Sequence, residues 1–184
     1  MPSANRALGA ALAIALGFSF VAAADVTVGG APMLPAKHII ENAVNSKDHT
    51  TLVAAVKAAG LVETLSGKGP FTVFAPTNAA FAALPAGTVD TLLKPESKPQ
   101  LTKVLTYHVV AGKLTSDDIA KAIKSGGGKA ELTTVAGGKL TATLNGPKNV
   151  VVKDESGGTA NIAIYDVLQS NGVIHVVDKV LLPK

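Results

Sequence analysis

The apolar positions of the chain follow a helical period in its first half and a strand-like period in its second half. Leu52, Val53 and Val56 form one helical stripe behind a candidate N-cap at Asp48. β-branched and alternating stretches dominate the second half, which predicts an α+β domain with a largely antiparallel sheet. The candidate strands of this half are 131–136, 139–144 across a Gly137-Gly138 hairpin turn, 149–153, 159–164 and 172–182.

Local signals predict where several helices begin and end. Ile39, Ile40 and Val44 share one helical face, and Gly60 suits the left-handed C-cap of the next helix. Thr115 and Asp118 fit a capping box for a helix over 115–123, which the Gly126-Gly127-Gly128 run ends. Short strands are predicted at 71–75 and 107–110, with Thr77 capping the helix after the first of them.

The closing run from Asn171 to Pro183 combines a turn dipeptide with an apolar strand. Asn-Gly suits a tight turn because both residues tolerate positive φ. The Val/Ile run that follows is too apolar to be exposed on both faces. His175 and Asp178 interrupt it, but residues three apart on a strand point to opposite faces, which is poor chelating geometry. We therefore expect His175 to pack in or near the sheet and Asp178 to lie at the surface.

The N-terminus predicts export. Arg6, the apolar run from Leu8 to Val21 and the small residues Ala22-Ala23-Ala24 make a secretory signal peptide over 1–24 rather than a membrane anchor. Residues 25–36, with two Gly and two Pro, are predicted to be a linker or tail, and 37–184 one domain. No other stretch predicts a transmembrane segment. The high Ala content and the signal type are typical of a bacterial protein that is periplasmic or secreted.

Charge and composition exclude several classes of function. The formal net charge is +4, but Arg6 is the one Arg and the Lys residues are scattered, which argues against nucleic-acid binding. The chain has no Cys, so it has neither a disulfide nor a thiolate metal site. It has no G-x-S-x-G or H-E-x-x-H motif, and the Gly-rich run before Lys129 follows a helix rather than opening one. We therefore predict no catalytic residues, no cofactor, no metal and no enzyme activity, and a hydrolase has little support.

Three separated segments resemble the signature boxes of fasciclin domains. They are Thr72–Phe81, Tyr107–Val110 and Asn171–Pro183, and the similarity extends from about Lys37 to Pro183. Asn78-Ala79 departs from the family pattern, in which many members are acidic there. The resemblance implies a wedge-like sheet with helices packed about it, a role in adhesion or matrix association, and no catalytic residues to transfer. Tyr107 and His108 fall on the adhesion-associated box.

The candidate motif or partner-contact residues are Tyr107, His108, Thr77, Asn78 and His175. The helical phase of His108 with Leu101, Val104 and Leu105 turns it towards the core, where Thr77 or Asn78 could bond with its ring. Tyr107 has two possible roles. It either packs between helix and strand or offers an amphipathic ring to a partner.

These observations lead to two hypotheses about function. The first is a secreted or periplasmic fasciclin-type module that mediates cell adhesion or binds a protein, matrix or envelope component. The alternative is a carrier of a small apolar, lipid-like ligand, since an Ala-, Val- and Leu-rich chain could enclose a cleft between helices and sheet. A dry apolar cleft would favour the carrier, and a solid core with an exposed apolar patch would favour adhesion. Neither the partner nor the oligomeric state follows from the sequence.

Overall fold

The computed structural model describes residues 26–147 and 149–184, so the predicted signal peptide lies outside the described residues. The strands are β1 (Val26–Val28), β2 (Ala31–Met33), β3 (Phe71–Pro76), β4 (Val109–Ala111), β5 (Lys129–Thr133), β6 (Lys139–Leu144), β7 (Val150–Lys153), β8 (Thr159–Gln169) and β9 (Gly172–Val177). The α-helices are α1 (Ile39–Ala43), α2 (Thr50–Ala59), α3 (Val62–Ser66), α4 (Asn78–Ala82), α5 (Thr88–Leu92), α6 (Lys98–Tyr107) and α7 (Ser116–Ser125), with 3-10 turns at Lys47–His49 and Pro95–Ser97.

Seven strands form one curled sheet in the order β4-β3-β9-β8-β7-β6-β5. All neighbours pair antiparallel except β3 and β9, which are parallel. The two outer strands approach each other, since the Val135 N–H donates to the Val109 carbonyl at 2.7 Å and Val110 bridges to Thr134. The α+β class and the mostly antiparallel sheet are confirmed, but the sheet is a nearly closed barrel rather than a wedge. Register shifts in β8 between Ile162 and Val167 bend the long strand and allow this curvature.

Two apolar cores lie on opposite faces of the sheet. One fills the barrel under α7, and its largest fully buried side chains include Phe74, Tyr107 and Ile119. The other packs α1 to α6 and the β1–β2 ribbon against the outer face of β3, β9 and β8. Because β3 contributes Phe74 to the first core and Val73 and Ala75 to the second, alternation along this one strand joins both cores.

The segment predicted to be a linker is part of the folded domain. β1 and β2 pair antiparallel, and their inward residues Val28 and Met33 are each only 3% exposed. The prediction of a tail over 25–36 is therefore wrong for the described residues of that segment. Pro32 and the two Gly of the turn are not typical of strands, so the ribbon is hard to predict from the sequence. They suit a short two-stranded edge element.

Most helix ends lie where the local signals place them. Gly60 is left-handed at φ 74° after α2, Thr77 accepts from the Ala80 N–H, and Thr115 and Asp118 form the predicted capping box. Val44 differs, because α1 ends at Ala43 and leaves this side chain 47% exposed. Tyr107 also differs, since it ends α6 and the following strand begins only at Val109.

The strand bounds of the second half differ more from the prediction. The first strand of the hairpin is shifted to 129–133, and β8 continues to residue 169, five residues past its predicted end at 164. The closing strand ends at Val177 instead of 182. There Asp178 turns to bond with Asn161 on β8, through the backbone N–H and the side-chain amide, both at 2.8 Å.

The turn before β9 differs from the predicted one in its backbone conformation and in its loop residues. Neither Asn171 nor Gly172 has a positive φ, and the loop of the hairpin is Ser170-Asn171, with Gln169 paired to Gly172. Gly172 is needed for another reason, because a Cβ there would overlap the carbonyl of Phe71 on the parallel strand. Asn171 accepts from the Ile39 N–H at 3.0 Å and donates to the carbonyls of Leu65 and Gly67.

Candidate functional site

The three boxes identified in the sequence meet in the middle of the sheet. The strand β3 of the first box lies between β4, which begins within the second box, and β9 of the third. The Phe74 N–H donates to the His108 carbonyl at 2.9 Å, and the Thr77 N–H donates to the Val177 carbonyl at 3.4 Å. The boxes are therefore neighbours through their backbones.

His108 is a buried core residue, as its helical phase predicts. It is 2% exposed, its Nδ1 lies 2.8 Å from the Val104 carbonyl, and its Nε2 accepts from the Leu181 N–H at 2.9 Å. The expected partners Thr77 and Asn78 are wrong, because the ring joins the end of α6 to the C-terminal segment instead. Burial lowers the pKa of His108 to about 4, so the ring is neutral, with its proton on Nδ1.

Tyr107 is fully buried, and its hydroxyl group both donates and accepts a hydrogen bond. The hydroxyl donates to the Lys139 carbonyl at 2.7 Å and accepts from the Glu155 N–H at 3.0 Å. Burial raises the pKa of this phenol. The ring has no exposed surface to offer a partner in this structure, so of its two possible roles the geometry supports packing between the helix and the barrel.

Thr77 and Asn78 lie at the start of α4, where Thr77 caps the helix and Asn78 joins it to α2 and to the 3-10 turn before α2. Thr77 caps α4, with its hydroxyl 3.3 Å from the Ala80 N–H. The Asn78 amide oxygen accepts from the Thr51 N–H at 3.0 Å, and its NH₂ donates to the Lys47 carbonyl at 2.8 Å. A carboxylate could not make the second bond, since it has no N–H to donate. Asn78, where the family pattern is acidic, thus makes a hydrogen bond that an acidic side chain could not make.

His175 lies in the sheet with no exposed surface, and Asp178 is exposed, as predicted. The ring of His175 stacks on Phe74 at 5.7 Å between centroids, and its Nε2 lies 2.9 Å from the Leu114 carbonyl. Burial lowers the pKa of His175. Its Nδ1 accepts from the N–H of Asp166, a residue held in the left-handed region at φ 54°.

Asp166 in turn fixes the start of α7. Its carboxylate accepts from the Ser116 N–H at 2.6 Å and from the Ser116 hydroxyl. A Ser, an Asp and a His are therefore near one another, but the hydroxyl donates to the carboxylate and not to the imidazole. No relay from Ser116 through His175 exists, and the group is a structural clamp on the helix N-terminus.

The structure reveals one candidate residue that the sequence-based predictions do not include. His49 is the last residue of the 3-10 turn before α2, is 3% exposed, and lines a partly open cavity of about 40 Å³ between α1, α2, α3 and the outer face of the sheet. Most of the other lining side chains are aliphatic, among them Ile40, Val56 and Ile174. Neither a motif nor a spacing marks His49, because the cavity is built from segments far apart in the sequence.

The described residues contain neither a cluster of metal-ligating side chains nor a membrane-spanning helix. Among residues 26–147 and 149–184, no three His, Asp or Glu side chains are placed to hold a metal ion together. No helix of the same residues has the length and apolar character to cross a membrane.

Comparison with known proteins gives the family. The fasciclin domain model matches residues 47–183. A Synechocystis protein, Protein sll1483, is 49% identical over 176 residues, with 92% of this chain and 90% of that protein covered. The cell surface glycolipoprotein MPB83 of Mycobacterium bovis is 37% identical over 123 residues, which cover 67% of this chain and 48% of the relative.

A solved structure supports the same fold. It is the FAS1 domain pair from the insect cell adhesion molecule fasciclin I, with a TM-score of 0.69 and 18% identity over 79% of this chain and 51% of that one. At this identity the likeness concerns the fold alone. Taken with the family match over most of the domain, it leads to one conclusion. The chain belongs to the fasciclin domain family.

Proposed function

We propose that this protein is an exported fasciclin-type module that mediates adhesion or binds an extracellular or envelope partner, and that it is not an enzyme. The proposal rests on the hydrogen bonds that the polar residues of the motif segments make inside the domain. The side chains of His108, Tyr107, Asn78 and His175 make hydrogen bonds within the domain, which leaves them poorly placed for turnover. A rigid scaffold of this kind supports recognition through its outer surface.

Export is the first part of the proposal to test. It rests on the signal-peptide pattern of residues 1–24, and the surface location in the name of MPB83 agrees with it. Cleavage after Ala24 should give a protein in the envelope or medium whose intact mass corresponds to residues 25–184. A chain in the inner membrane that retains Met1 to Ala24 would contradict export.

Affinity capture tests the partner. Purified mature protein carrying a photo-cross-linker is incubated with the envelope fraction of its own cells, and cross-linked species are identified by mass spectrometry. We expect one dominant protein or polymer, which an excess of unlabelled protein displaces. Cross-links spread over many components, and insensitive to competition, would argue against specific binding.

A carrier of a small apolar ligand is the second candidate, and the largely apolar cavity beside His49 favours it. The cavity of about 40 Å³ is too small for a whole lipid, so a long ligand would require the β1–β2 ribbon and α1 to move outward. Extraction of the natively purified protein with organic solvent, followed by mass spectrometry, tests carriage. A stoichiometric lipid-like molecule would support it, and an extract no richer than that of an unrelated exported protein would exclude it.

A further inference from the structure

His49 lines the apolar cavity and has an unsatisfied ring nitrogen. Its Nδ1 lies 2.9 Å from the Ser46 hydroxyl. Its Nε2 is buried, and no group of residues 26–147 or 149–184 makes a hydrogen bond with it. The Ala75 carbonyl is near enough to favour a proton on the ring, but no bond of normal geometry joins the two. A buried polar atom without a partner costs about 1–3 kcal/mol, so a folded protein rarely keeps one without a use.

The surroundings of the His49 ring determine whether Nε2 is a hydrogen-bond donor or an acceptor. Burial lowers the pKa of His49, which keeps the ring neutral with a single proton. Donation from the Ser46 hydroxyl to Nδ1 is compatible with a ring proton on Nε2, the tautomer that the Ala75 carbonyl favours. The cavity wall therefore carries the His49 N–H among mostly aliphatic side chains such as Val53, Leu105 and Val176, and Ser46, Lys57 and His108 also line it.

We propose that this cavity binds a small neutral molecule with an apolar body and one hydrogen-bond acceptor, selected by the Nε2–H of His49. The proposal rests on the carrier candidate above and specifies the chemistry of its ligand. An aliphatic wall rejects charged and strongly polar molecules, since their desolvation would not be repaid. The His49 N–H distinguishes a ketone, ether or alcohol from a hydrocarbon of equal shape.

Water is the competing occupant. A buried water needs two to four polar partners, and an apolar cavity without them stays dry. Here the described wall offers a water the His49 N–H and the nearby Ala75 carbonyl, which is the minimum of two partners, while the remaining volume faces mostly aliphatic carbon. An apolar molecule with one acceptor satisfies the donor and also fills the space that water would leave.

An isosteric pair of probes tests the selection. 2-Butanone and 2-methyl-1-butene differ only in C=O against C=CH₂. Both are titrated into purified mature protein, and the dissociation constants are read from NMR shifts of the lining residues. We expect the ratio of ketone to alkene affinity to be about five- to tenfold higher in the wild type than in His49→Phe, the value of one hydrogen bond.

Two further measurements keep the test decisive. Ala75→Val adds two methyl groups to a lining residue on β3 and should weaken both probes at least tenfold without changing their ratio. If His49→Phe does not fold, the ¹⁵N shift of Nε2 in the wild type reports the bond directly when the ketone is added.

Equal ratios in wild type and variant, or an unmoved Nε2 shift, would overturn selection by His49 while leaving the carrier candidate intact. Binding of neither probe would overturn the site itself. The solvent extract of native protein decides the carrier candidate independently of these outcomes.

Discussion

At the scale of single residues, the buried imidazoles join segments that are far apart in the sequence. His108 bonds to Leu181, 73 positions away, and His175 to Leu114, 61 positions away. Helical phase is a local signal, so it predicts that His108 points inward. It cannot identify the partner, because the C-terminal segment reaches the ring only through the order of strands in the sheet.

Replacement of His108 by Ala should destabilise the domain by about 1–3 kcal/mol, since the buried Leu181 N–H loses its acceptor. Urea unfolding of the purified proteins measures the difference. Lys113→Ala, at an exposed position, is the control and should change the free energy of unfolding by less than about 0.5 kcal/mol. Equal stabilities of His108→Ala and wild type would mean that the ring does not hold the segments together.

Tyr107→Phe separates packing from partner contact, because it keeps the ring and removes only the hydroxyl. Loss of the bonds to Lys139 and Glu155 should cost about 1–2 kcal/mol and leave binding of any partner unchanged. Tyr165→Phe is the matched comparison. Its hydroxyl also makes two bonds but is partly exposed, so its loss should cost less. If binding falls while the unfolding curve of Tyr107→Phe stays in place, partner contact is the correct role.

At the scale of elements, the sequence predicts what is locally encoded. The capping box at Thr115 and the left-handed Gly60 need only neighbouring residues, and both are present. The β1–β2 ribbon is not predictable from periodicity, because two strands of three residues are too short to show a period. The function of Asn171 is hidden for another reason. The dipeptide predicts a turn, but the side chain bonds to α1, α3 and the loop after α3.

Asn171→Ala should therefore loosen the helical layer from the sheet. The change leaves the Ile39 N–H and the carbonyls of Leu65 and Gly67 without their partner, at a cost of about 2–3 kcal/mol. Amide hydrogen exchange should show faster exchange in α1 and α3 than in β5 and β6. Asn45→Ala removes a single exposed bond to Glu41 and is the control. Uniformly faster exchange across the domain would contradict a local clamp.

At the scale of the whole molecule, the closure of the sheet depends on long-range contacts. The Val135 bond to Val109 and the bulged β8 turn an antiparallel sheet into a nearly closed barrel. Periodicity predicts the strands but not their curvature. The wedge-like shape implied by the family resemblance was therefore wrong, although the family itself is confirmed.

The buried histidines also make stability depend on pH. The pKa of His108 is lowered to about 4 by burial, whereas a histidine in the unfolded chain titrates near 6.5. As pH falls below that value, the unfolded state binds a proton that the folded state does not, so stability is present above pH 6.5 and lost towards pH 4. His49 and His175 are shifted in the same direction.

Urea unfolding at pH 7.5 and pH 5 measures this loss. The expected contribution of His108 is about 2 kcal/mol, since each pH unit is worth about 1.4 kcal/mol. His108→Ala should be less stable than wild type at pH 7.5 and lose less on acidification. A free energy of unfolding that is the same at both values of pH would contradict neutral buried rings.

We propose that this fasciclin domain is exported and acts by binding a partner through its surface. The most direct measurement is an equilibrium binding curve of fluorescently labelled mature protein on the envelope fraction of its own cells, with Ala75→Val in parallel. We predict saturable binding that unlabelled protein displaces and that filling the internal cavity leaves unchanged. Binding that stays linear with concentration and resists displacement would contradict the claim. Saturable binding lost in a fully folded Ala75→Val variant would assign the function to the cavity instead.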